Sequence, residues 1–64
     1  MSLMDLAINL TVATTKIFGP DEVLDAIKAH RERVSGVQNQ RLGEFYKYWL
    51  DESETRILAR RGMQ

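Results

Sequence analysis

The apolar positions of the chain recur at helical spacing almost from end to end. Leu3, Leu6, Leu10, Ala13 and Ile17 alternate steps of three and four, the a/d seam that a helix presents to a partner. Val23, Leu24, Ile27, His30, Arg31 and Val34 share one side of a second helix, and Leu42, Phe45, Tyr46 and Trp49 one side of a third. Ile57 and Leu58 mark a short fourth segment, either a separate helix or a continuation of the third. The pattern predicts helices over about 3–18, 20–34, 37–50 and 53–61 within a single domain of residues 1–64. The expected fold class is all-α: a small bundle of three to four short helices.

Breakers divide the pattern at matching places. Gly19-Pro20 is a stop followed by a start, since glycine suits the residue past a helix and proline the first turn of the next. Ser35-Gly36 is a second boundary. Asp51 with Glu54 reads as a capping-box pattern opening the last segment. Asp21, Glu22 and Asp25 load the start of the second helix and Lys28, Arg31 and Arg33 its end, both complementing the helix dipole.

The first segment is unlike the others. At about 100° per residue its polar groups Asp5, Asn9 and Lys16 share one narrow side, and the remainder is apolar or threonine. A helix that is apolar nearly all round must be buried nearly all round. Two amphipathic helices and a short tail leave part of it uncovered, whereas a second copy of the chain covers it. The bundle is therefore expected to be completed by homodimerisation, with Leu3, Leu6, Leu10, Ala13 and Ile17 as the interface. The same stretch supports a strand as the alternative, because Ile8, Leu10 and Val12 alternate with Asn9, Thr11 and Ala13.

Size sharpens this expectation. A 64-residue domain buries only about 60% of the surface its unfolded chain exposes and commonly needs a supplement. With no cysteine, disulfides and thiolate metal sites are excluded, and the single histidine, His30, excludes a zinc site of ordinary composition. Oligomerisation or unusually good packing is the supplement left. Nine basic and nine acidic residues cancel, so the charge excess of a strongly basic nucleic-acid binder is missing. The apolar run near the N-terminus is too short and too interrupted to span a bilayer, and its first charge, Asp5, is negative where a secretory signal would be positive. The cytoplasm is the expected compartment, with no membrane partner.

Chemistry is sparse. Ser35 and Ser53 sit at expected helix boundaries, where capping is their ordinary role, and no nucleophile, base and orienter come together in the sequence. Asp51, Glu52 and Glu54, like Asp21, Glu22 and Asp25, read as helix-start acids before they read as cation ligands. The four glycines are scattered singly, so no loop cradles phosphate. No enzyme activity, cofactor, metal or small-molecule substrate is expected. The candidate partner-binding residues are Arg31, Arg33 and Arg41 around the Ser35-Gly36 turn, with Tyr48 and Trp49 from the aromatic cluster. Trp49 also fits the core, the usual place for the one tryptophan of a small domain.

From Thr14 to Asp51 the order of pieces TTKIF, PDEVLDAIKAH, SGVQNQ and RLGEFYKYWL resembles a ribbon-helix-helix DNA-binding protein. The resemblance implies a strand at TTKIF, a dimeric ribbon in the DNA major groove and a role in transcriptional regulation. The residues themselves favour a different expectation. They describe a non-enzymatic helical homodimer of bacterial or phage type that acts as a regulatory or adaptor module by binding an unidentified protein, with nucleic acid as the alternative partner.

Overall fold

Gly19 is the corner on which the chain turns. The computed structural model describes residues 2–62, and Gly19 is the one described residue with positive φ, at φ 86° and ψ 152°. That backbone region is essentially restricted to glycine. It ends one helical run and, with Pro20 in the first turn, begins the next. The elements are α1 (Leu3–Ala13), α2 (Thr15–Phe18), α3 (Pro20–Val34) and α4 (Gln40–Gly62). No strand occurs among the described residues, so the all-α expectation holds.

α1 starts as the sequence suggests, with the Ser2 hydroxyl accepting the Asp5 N–H at 3.1 Å. It does not run unbroken to residue 18. At Thr14 the helix is interrupted, and the cause is local. The Thr14 and Thr15 hydroxyls donate to the Thr11 and Val12 carbonyls at 2.6 and 2.7 Å, competing for acceptors that the helix backbone uses. Helical structure resumes at Thr15. The stretch TTKIF is thus a turn of helix where a ribbon-helix-helix protein has its strand, which removes the structural basis of that resemblance.

Two further boundaries differ from the pattern. The third helix begins at Gln40, three residues after Val37, because Asn39 caps it: its side-chain oxygen accepts the Leu42 N–H at 3.0 Å. The expected break between 50 and 53 is absent, and α4 is continuous to Gly62. Nothing in Asp51–Glu54 forbids helix, and the acids have partners elsewhere. Asp51 and Glu54 both accept from Arg31 on α3, Glu54 at 2.8 Å, while Glu52 pairs with Arg56 one turn on at 3.3 Å.

The core is small: Ile8 and Val12 from α1, Val23 and Ile27 from α3, Leu50 and Ile57 from α4, with Met4, Leu24, Val34 and Trp49 packed at its margin. The buried face of α3 is the expected one. On α4 it is rotated from the expected side, since Leu50, Ser53 and Ile57 are buried while Leu42 and Phe45 are exposed. The rotation follows from how α4 meets α1. Trp49 Nε1–H donates to Thr11 Oγ1 at 2.9 Å, and Arg56 donates to Asn9 Oδ1 at 3.0 Å. Thr11 and Asn9 lie on opposite flanks of α1, about 160° apart at 3.6 residues per turn. α4 therefore crosses the inner face of α1 obliquely, and Ser53, fully buried, lies between these two contacts. A small side chain there lets the helices approach.

Candidate interaction surface

On α1 the inward residues Ile8 and Val12 are buried. Diametrically opposite, the stripe picked out by a/d spacing faces outward: Leu3 is 76% exposed, Leu10 60% and Ile17 76%. Leu6 and Ala13 on the same stripe are also exposed, and Phe18 extends the apolar surface at the end of α2. All five residues expected at an oligomer interface are exposed, and among the described residues no other helix covers them. Together these residues make one exposed apolar patch.

The surface area agrees. The chain exposes 4995 Å², whereas a folded monomer of 7.4 kDa exposes about 4,200 Å². The radius of gyration, 12.0 Å, likewise exceeds the roughly 11 Å of a compact chain of this length. The molecule is flattened, measuring 38 × 27 × 18 Å along its principal axes.

The expected partner-binding residues do not assemble in the same way. Arg31 is engaged inside the molecule by Asp51 and Glu54. The hydrogen bond it donates to Asp51 raises the pKa of its guanidinium above the ordinary arginine value, partial burial opposes this, and the charges of Asp51 and Glu54 add to the rise. Arg33 and Arg41 are exposed on either side of the turn. Tyr48, 56% exposed, faces a shallow hollow with Glu44, Lys47, Asp51 and Glu52. Trp49 is half-buried and occupied by Thr11, so it is a structural residue with one exposed edge.

That edge borders an apolar groove of about 400 Å³, lined by Val23, Ile27 and Leu50 together with Phe18 and Trp49. His30 stands at its rim. Its ring meets Trp49 edge-on at 5.5 Å and 76°, and Tyr46 at 5.8 Å and 66°. These are favourable aromatic geometries, and they engage the one histidine of the chain.

Among the described residues, no group of three or more histidines, cysteines or acids is placed to hold a metal ion, and no helix is long and apolar enough to cross a membrane. No protein-family model, curated protein or solved structure matches the chain.

Proposed function

We propose that this chain is a non-enzymatic interaction module that works as a homodimer, joined through the outward face of α1, and that it acts as an adaptor or regulator by binding another protein. The observation that carries the dimer is the opposition of two apolar faces on one helix. Ile8 and Val12 are consumed by the core while Leu3, Leu6, Leu10 and Ile17 remain exposed. The charged and amide groups of the α1–α2 run, Asp5, Asn9 and Lys16, share a single flank, so a charged outer face was not built into this run. A C2 pairing is self-complementary and needs only this one stripe.

The test is molecular mass in solution by sedimentation equilibrium, for the natural chain and for Leu10→Asp. The natural chain is expected at twice 7.4 kDa. Leu10 sits mid-stripe and outside the core, so Leu10→Asp is expected to leave a folded monomer with unchanged helical circular dichroism. Removing two leucines from the seam costs roughly 4 kcal/mol, about a thousandfold in dissociation constant. A natural chain that stays monomeric at the highest concentrations, or a Leu10→Asp variant that stays dimeric, overturns the dimer.

A further inference from the structure

We infer that a second surface, the hollow between the end of the α1–α2 run and the end of α4, receives an acidic segment of the partner protein. This deepens the proposal above and rests on the part of it in which the chain acts by binding another protein.

The hollow is about 480 Å³ and is lined by Asn9, Val12, Ala13, Lys16, Arg56, Ala59 and Arg60. A smaller one of about 280 Å³ adjoins it, sharing Lys16 and Arg60 and adding Ile57 and Arg61. Four of the nine basic residues of a chain with no net charge thus converge on one corner. Two are compensated: Arg56 by Glu52 at 3.3 Å and Arg61 by Asp21 at 2.7 Å. Lys16 and Arg60 enter no ion pair among the described residues. Both lie in the last turns of their helices, where cations complement the helix dipole. That explains their positions along α2 and α4. It does not explain why two helices remote in sequence deliver them to the same hollow.

The setting is prepared for a carboxylate. Arg56 is fixed from two sides, by Glu52 and by the Asn9 side chain at 3.0 Å, so one wall is preorganised. Arg60 presents a planar fork that matches a carboxylate in bidentate fashion. The rest of the lining, Val12, Ala13, Ala59 and the nearby Ile57, is apolar. A segment of acidic and aliphatic residues satisfies both halves of this surface. A nucleic-acid backbone satisfies only the charged half, and proteins that hold it typically neutralise about six to ten phosphates, beyond the two uncompensated cations here. Ala13 belongs to both this hollow and the outward stripe of α1, so the site opens beside the proposed seam.

The experiment follows backbone amide shifts of the full chain during titration with a short synthetic peptide of alternating glutamate and leucine. A lysine–leucine peptide and a short random-sequence DNA duplex serve as parallel probes. The expected result is saturable shifts centred on Ala13, Lys16, Arg56 and Arg60 with the acidic peptide alone. The dissociation constant should weaken at least about tenfold in Lys16→Glu and in Arg60→Glu, and less in Arg60→Gln, which keeps most of the side chain's bulk. Both reversed positions are exposed, so the variants should keep the natural helical spectrum. Scattered shifts, equal response to the lysine–leucine peptide, or indifference to both reversals overturns the site. Stronger shifts of the same amides by the duplex also overturn it, in favour of a polyanion surface. Mass separates this proposal from the dimer: a monomer that takes the acidic peptide at these residues keeps the site, and a dimer that ignores the peptide loses it.

Discussion

Trp49 and Thr11 are joined by more than a single contact. The indole N–H donates to the Thr11 hydroxyl at 2.9 Å, and that hydroxyl donates in turn to the Ala7 carbonyl at 2.8 Å. The one tryptophan of the chain is therefore anchored, through one threonine oxygen, to the backbone of the helix it crosses. Hydroxyl chains of this kind polarise one another, and breaking one member leaves its neighbour unpartnered. Thr11→Val keeps the shape and removes the acceptor. Denaturant unfolding should show a loss of about 1–2 kcal/mol. In the background of Trp49→Phe the same substitution should cost much less. Additive losses would show that the two side chains are not coupled.

The Arg31 ion pairs tie the end of α3 to the middle of α4, and the groups are about half exposed, so solvent screens them. A double-mutant cycle between Arg31→Met and Glu54→Gln should give a coupling of about 0.5–1 kcal/mol that shrinks as salt is added. The pH sign is fixed by the raised arginine pKa. A group whose proton is held more tightly when folded contributes fully below its unfolded-state pKa and loses that contribution only as pH rises through the folded-state value. Both values lie above the working range, so titration of Arg31 itself should leave stability level from neutral pH to moderately alkaline pH.

Two glycine-to-alanine substitutions should act in opposite directions. A Cβ at Gly19 or at Gly43 would meet no atom within 4 Å, so crowding decides neither case. Gly19 has φ 86°, and alanine there is strained by about 1–3 kcal/mol. Gly43 lies in the first turns of α4, where alanine should stabilise by up to about 1 kcal/mol. Thermal unfolding of the two variants should bracket the natural chain, and the same sign for both would contradict the backbone assignment at Gly19.

Ser53 is fully buried and its hydroxyl has no hydrogen-bond partner. Its place is explained by size and not by polarity. Ser53→Ala should therefore be neutral or stabilising by about 1 kcal/mol, while Ser53→Leu should push α4 off α1 and cost about 3 kcal/mol or more. Calorimetry decides between this and a functional hydroxyl, for which alanine would be the worse of the two.

Much of the fold is legible in the spacing of residues, because spacing reports what each helix must hide. Leu3, Leu6, Leu10, Ala13 and Ile17 could be placed on one face from their intervals alone, as could Val23 and Ile27. What spacing does not report is which of two apolar faces goes inward. The a/d stripe of α1 is the regular one, yet the core takes the less regular Ile8 and Val12, whose neighbours Thr11 and Asn9 supply the contacts to α4. The acids at 51–54 show a related limit. Their composition suits a helix start, and only the tertiary arrangement shows that Arg31 is within reach and that Ser53 must be small. Of the basic corner, Arg56, Arg60 and Arg61 are close neighbours in the sequence. Lys16 joins it only because α4 crosses α1 obliquely, which no local pattern encodes.

Among the described residues six buried apolar side chains form the core, and two of them come from the helix whose other face is open. In the proposed dimer this ties folding to abundance. Mass action then adds the binding free energy to the stability of each chain, and melting temperature rises with protein concentration. Dilution would return such a chain to the lower stability of the lone monomer. Its lifetime in a cell would follow its own rate of synthesis, with proteolysis clearing copies that fail to meet.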